Sequence, residues 1–231
     1  MSLEPIDASR PSLTSEVLAR LRAAIAAGTL SPGSLHSVSE LASALGVSRT
    51  PVREALIQLA GQGMVRFERN RGIRILATSL HDLEEIFTLR ILLEVPGARA
   101  AAARATPDAI SALRRTLAQM ERAARADDEL RLMELDRSLH RSILLITGNT
   151  RLATVVDSLR DLVLARGAST ANISRTLLDI AEEHRAIVEA IARRDPAGAG
   201  RAMHEHVHQT GRLLIAQEGG DPEAATFDWL A

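Results

Sequence analysis

The sequence predicts a mainly α protein in two parts, a winged helix-turn-helix followed by an all-helical bundle. Apolar residues recur at helical spacing through most of the chain. Two short β-like runs, 64–68 and 72–77, stand together after three helical segments. Beyond Leu80 no strand signal returns. The composition permits such a protein, since 231 residues at 46% hydrophobic and 25% charged can bury a substantial core.

The first helix is marked by Leu13, Val17, Leu18, Leu21 and Ile25 and stops at Gly28; Ser31-Pro32-Gly33 then turns the chain. Ser37 and Glu40 have the spacing of a capping box and open a short helix through Leu41, Ala42 and Leu45, which Gly46 ends. Ser48 is the candidate N-cap of a third helix with Val52, Ala55, Leu56 and Leu59 on its inner face, closed by Gly61 and Gly63. The two β-like runs meet at Arg69-Asn70-Arg71-Gly72, a hairpin tip. Helices are then expected over 80–104, 107–125, 128–146, 150–167, 174–194 and 196–217, separated by Thr106-Pro107, Gly148-Asn149, Ser174 and Asp195-Pro196. Residues 218–231 read as a tail whose Phe227, Trp229 and Leu230 clip onto a neighbour.

Composition narrows the function. There is no Cys, which removes disulfides, thiol catalysis and Cys-ligated zinc. Aromatics are 2% with no Tyr, too few for a base-stacking platform. No apolar run nears the roughly 20 residues of a membrane span, no signal-peptide core opens the chain, and the expected compartment is the cytoplasm. Residues 1–76 carry nine Arg against six acidic side chains, and the remainder nineteen against twenty-three. A basic N-terminal part on an acidic remainder points to one end meeting a polyanion.

In a winged helix-turn-helix the helix after the tight turn enters the major groove, and its first turn carries the base-reading groups. Here that turn holds Ser48, Arg49, Thr50 and Arg53, with the two Arg at i and i+4 opposite the apolar face. Arg suits bidentate contact with guanine or phosphate, and the hydroxyls suit phosphate. The alternative is a solvated helix with ordinary surface arginines. Pro32-Gly33, Leu41-Ala42, the run Leu45–Leu56, Gly63 and Arg71-Gly72 together resemble the GntR family of bacterial transcription regulators. The resemblance implies that Arg49 and Arg53 contact double-stranded DNA and that the tip, with Arg69, Arg71 and Gly72, enters the adjacent minor groove.

In the second part, polar residues interrupt the apolar stripes. The stripe of 128–146 runs Leu132, Met133, Asp136, Leu139, His140, Ile143. That of 174–194 contains His184 among Ile180, Ala181, Ile187 and Val188, and the last helix has His206 between Met203 and Leu213. Buried polar groups must satisfy one another or bind something. Three imidazoles and one carboxylate suit a divalent metal, Zn²⁺ first, with Mn²⁺ or Ni²⁺ as alternatives. The competing reading is a hydrogen-bonded polar core. His204 and His208, also at i and i+4, are read as exposed.

Asp136-x-x-x-His140, Gly148-Asn149, Glu183-His184-Arg185, Asp195 and Met203-x-x-His206 resemble the effector domain of the FadR-like (FCD) branch, and the six-helix count its shorter VanR-like form. The resemblance implies a metal on the Asp and three His at the floor of a ligand cavity, and a small organic acid as effector. Arg90 and Glu94 lie on the stripe of 80–104 and read first as a buried ion pair; alternatively Arg90 clamps an effector carboxylate. Arg90, Glu94 and Asn149 are the candidate effector contacts.

The expected domains are 10–77 for DNA binding, 79–217 for effector binding and dimerisation, and the tail. The expected function is a ligand-responsive repressor acting as a homodimer on a pseudo-palindromic operator, because one winged helix reads only a half-site. The rivals are a metal-dependent hydrolase or oxygenase and an assembly module with a structural metal. Against the enzyme, there is only one Glu-x-x-His, Glu205 to His208, where di-iron bundles use two.

Overall fold

The computed structural model describes residues 12–69, 71–76, 80–165, 169–223, 225 and 227. Asn70 of the hairpin tip and Trp229 and Leu230 of the tail lie outside the described residues. The chain separates into two compact units, one of residues 1–78 and 164–167 and the other of 79–163 and 168–231.

The first unit contains α1 (Leu13–Ala26), β1 (Leu35–His36), α2 (Val38–Leu45), α3 (Arg49–Gly61), β2 (Val65–Glu68) and β3 (Gly72–Ile75). Val17, Leu21 and Ile25 of α1 and Val52, Ala55, Leu56 and Leu59 of α3 are buried where the two helices pack. The Ser37–Glu40 capping box forms, and Gly46 closes α2 in the left-handed conformation at φ 67°. The sheet is antiparallel in the order β1-β3-β2, with Leu35 opposite Arg74 and His36 opposite Ile73. β1 was not expected, since two residues are too short to show a period. Gly72 explains how it fits. At φ 117°, a Cβ there would lie 2.1 Å from the His36 carbonyl oxygen, so only glycine lets β1 close on the wing.

The second unit contains α4 (Leu80–Arg104), α5 (Pro107–Arg125), α6 (Glu129–Leu145), α7 (Thr150–Ala165), α8 (Leu177–Ala192) and α9 (Pro196–Gln217). These are six helices among the described residues. Side chains of Thr106, Asp128, Thr176 and Asp195 cap α5, α6, α8 and α9. α8 starts three residues later than the spacing predicts, because Thr176 and Asp179 form a reciprocal capping box. α4 packs on α9, α5 on α6 and α8, and α8 on α9, around a core that includes Leu83, Phe87, Met120, Leu139 and Ile191. Two glycines set close approaches. A Cβ at Gly97 of α4 would lie 2.5 Å from Leu144 of α6, and one at Gly211 of α9 would lie 2.8 Å from both Phe87 and Phe227.

Phe227 is buried against its own unit, its ring 5.9 Å from Phe87 and 5.3 Å from His208. His204 and His208 are accordingly half-buried rather than exposed, because the chain beyond α9 folds back over that face.

Candidate metal centre and nucleic-acid interface

Asp136 and His140 sit one turn apart on α6, His184 on α8 and His206 on α9, all buried. One ligand atom from each lies within 4.8 Å of the others. His184 Nε2 is 2.8 Å from Asp136 Oδ1 and 3.1 Å from His140 Nε2. The three imidazole centroids lie 4.3–5.2 Å apart.

The groups behind this cluster decide its protonation. His184 Nδ1 donates to the Ile180 carbonyl at 2.7 Å, His206 Nδ1 to Glu183 at 2.8 Å, and His140 Nδ1 to Glu94. Each partner accepts, so each Nδ1 carries the hydrogen and each ring turns its Nε2 inward. Burial, reinforced by His140, pushes His184 down to about 3. Burial, then the charges of His184 and His140, holds His206 well below the usual histidine range. Ring nitrogens of three histidines and a carboxylate oxygen thus converge, and a cation could be held among them. Metal-bound histidines ordinarily donate their second N–H to a carboxylate or carbonyl in this way.

Arg90 Nε donates to Glu94 at 2.7 Å, so the ion pair expected from the sequence forms. Burial alone would raise the Glu94 pKa, but Arg90 and His140 outweigh it and keep the carboxyl below its ordinary range. Glu94 is therefore committed to orienting His140. Asn149 is exposed, and its side-chain carbonyl accepts from the Leu152 N–H at 3.1 Å, a cap for α7. The structure does not bring it into the buried cluster.

Three residues absent from the sequence-based site belong here. Arg160 of α7 donates to Asp136 Oδ2, and Arg175 donates to Glu183 at 2.5 Å and to Thr170. Burial, then the charge of Arg90, lowers Arg160 to about 9. Arg160 had a signal, since Ala153, Val156, Arg160 and Val163 fall on one face of α7. Glu183 stood beside His184 in the quoted motif but outside its apolar stripe.

In the first unit, Ser48, Arg49, Thr50 and Arg53 are exposed on the first turn of α3, opposite buried Pro51, Val52, Ala55 and Leu56. Ser48 takes the N-cap position but its hydroxyl makes no capping bond. The Arg53 guanidinium lies 6.0 Å above the Phe67 ring of β2. Arg69 and Arg71 are exposed on the wing. Glu68, which the sequence reading passed over, accepts from Arg74 at 2.5 Å and lies 3.6 Å from Arg71. Hydrogen bonding from Arg74, with Arg71 and Arg66 nearby, lowers its pKa.

Residues 13–75 match the family described as "Bacterial regulatory proteins, gntR family", and residues 85–209 match the FCD domain. The chain belongs to the GntR family. A relative from Paenarthrobacter nicotinovorans named "Probable D-xylose utilization operon transcriptional repressor" is 31% identical over 86% of this chain and 87% of its own. The HTH-type transcriptional repressor RspR of Escherichia coli K12 is 27% identical over 83% of this chain and 85% of its own. The solved structure of E. coli McbR/YncC has the same fold, with a TM-score of 0.77 at 23% identity, over 90% of this chain and 100% of its own. This GntR protein is therefore a DNA-binding transcriptional regulator with an FCD domain, not an enzyme. Among the described residues no helix is long and apolar enough to cross a membrane.

Proposed function

We propose that this regulator is a cytoplasmic repressor that binds a pseudo-palindromic operator as a homodimer and responds to a small organic acid held at a metal centre. Asp136, His140, His184 and His206 are the metal ligands, and Zn²⁺ fits their N and O donors ahead of Mn²⁺ or Ni²⁺. Ser48, Arg49, Thr50 and Arg53 face the major groove, and Arg69 and Arg71 the minor groove, with Gly72 shaping the wing. The single observation that supports the metal reading is the convergence of Nε2 atoms whose Nδ1 partners are all acceptors. Two coordination outcomes follow from four protein ligands: a closed tetrahedral site, or a site that expands to admit a carboxylate oxygen. The second is the sensor. Acid and operator then weaken each other's binding reciprocally, by about 1–3 kcal/mol.

The test measures metal content and thermal midpoint of the purified full-length protein, before and after chelation, against a panel of small carboxylic acids. The expected result is stoichiometric metal, an acid-induced rise that chelation abolishes, and weaker operator binding with the same acid. His184→Ala should lose metal and the acid response while retaining operator binding. Full metal occupancy in that variant, or acid shifts indifferent to chelation, would refute the assignment.

A further inference from the structure

The wing strand β2 carries an aromatic ring at the edge of the first unit's core. Val65, Ile73 and Ile75 share one face of the sheet and are buried, and Phe67 continues that face, directly across from Ile73. Its ring stays 39% exposed, and the Arg53 guanidinium of α3 stands over it at 6.0 Å. The acidic side chains nearest in sequence to these two residues are committed elsewhere. Glu54, beside Arg53, accepts from Thr14 Oγ1 at 2.7 Å and ties α3 to α1. Glu68, beside Phe67, accepts from Arg74 Nε at 2.5 Å. Among the described residues no carboxylate lies within ion-pair distance of Arg53, and the contact its guanidinium makes is with the ring.

From this contact, and resting on the major-groove placement of Arg53 proposed above, we infer that Phe67 is a positioning residue for operator recognition. Its ring holds the Arg53 guanidinium ready for DNA without occupying any of its hydrogen-bond donors. A carboxylate partner would take one or two of the five N–H groups and offset the charge that draws a phosphate or a guanine edge. The face of an aromatic ring attracts the same cation through its quadrupole and leaves those donors available. An arginine side chain loses rotamer freedom on binding, and a contact already made in the free protein lowers that cost. The ring can serve as a support because it is fixed itself, set between the strand pairing to fully buried Ile73 and the core residue Val65 two positions earlier. Phe67 also adjoins Glu68, the carboxylate that gathers Arg74 and Arg71 on the wing. The contact therefore links the wing to α3, and the two present their arginines as one surface.

The test is a titration of the full-length protein at fixed salt against a duplex that the wild-type protein selects from a random pool. Phe67→Leu keeps apolar bulk and removes the ring, and it should weaken binding by about threefold or more, the worth of a cation–π contact. Phe67→Tyr keeps the ring face and should retain most of the parental affinity. In an Arg53→Ala chain, Phe67→Leu should cost little more, because the side chain it positions is gone. A ring-fluorinated phenylalanine placed at 67 keeps the shape but draws charge from the ring face, so it should reproduce the loss seen with Phe67→Leu. That variant also decides the matter should Phe67→Leu fail to fold. A loss smaller than about threefold with the fluorinated ring would overturn the inference while leaving Arg53 in the groove. A loss from Phe67→Leu that is undiminished in the Arg53→Ala chain would overturn it too, and would show the ring acting on DNA directly. An Arg53→Ala protein that binds as tightly as the parent would overturn the placement of Arg53 itself, and the inference with it.

Discussion

Replacing Glu94 by Gln isolates the electrostatic part of the centre from its shape. Glu94 is fully buried and accepts from Arg90 Nε at 2.7 Å as well as from His140 Nδ1. The amide keeps the volume and one acceptor oxygen but removes the charge and places an N–H₂ among donors. Arg90, only 4% exposed, then has no counter-ion on its own helix. Breaking a buried pair from one side costs about 3–5 kcal/mol, far more than the pair itself contributes. For a chain of this size each kcal/mol moves the thermal midpoint by roughly 2–4 °C, so a fall on the order of 10 °C is expected. The assay is circular dichroism of the chelated protein at neutral pH, which keeps metal affinity out of the comparison. A second substitution, Arg90→Met in the same chain, removes the stranded charge and should recover much of the loss, a coupling of about 2 kcal/mol or more. A Glu94→Gln protein melting within roughly 2 °C of the parent would show that Arg90 is solvated, and the charge argument would fail.

Other outcomes follow from the same geometry. Arg49→Ala and Arg53→Ala should each weaken operator binding by about 1–3 kcal/mol in a titration at fixed salt, and unchanged affinity would remove that residue from the interface. Gly72→Ala should disrupt the wing, because its Cβ would stand 2.1 Å from the His36 carbonyl at a φ that L residues rarely adopt; operator affinity should fall while metal content stays constant, and a fully active variant would contradict the close approach. The chelated protein should lose stability as pH drops below 6.5. His184 titrates near 3 when folded and 6.5 when not, so the unfolded chain takes the proton first, at up to about 1.4 kcal/mol per pH unit for each such histidine. Glu94, whose folded pKa is lowered, adds a loss of the same sign once the pH passes below 4.5. Urea midpoints that stay level between neutral pH and pH 5 would refute this.

The helices were legible because their apolar periods are long and their caps are local: Ser37 with Glu40, Thr106 before Pro107 and Asp195 before Pro196 each announce a start within four residues. The same periodicity exposed Asp136, His140, His184 and His206 as polar residues on apolar stripes. It was less informative where the deciding contact is tertiary. β1 exists only because β3 lies beside it, and the half-burial of His208 depends on Phe227, nineteen residues later in the chain. Asn149 carried a family-like motif, yet its side chain is spent on a helix start. Arg160 shows a different gap, since a long cationic side chain on an apolar face reads as one whose charge reaches water, whereas here it ends on a buried carboxylate.

The way the centre is assembled bears on how it could regulate. Its four candidate ligands come from three helices, but the groups that orient them come from elsewhere: Glu94 from α4, Arg160 from α7, and Arg175 from the segment before α8, acting through Glu183. These second partners are ionic and buried, so a change in charge at the centre alters forces on most helices of the unit together. A cation held at this centre would repel Arg160 and Arg90, and an anion beside it would offset that repulsion. A ligand can shift an equilibrium only through interactions that differ between its states, and charge at this centre would be one such difference.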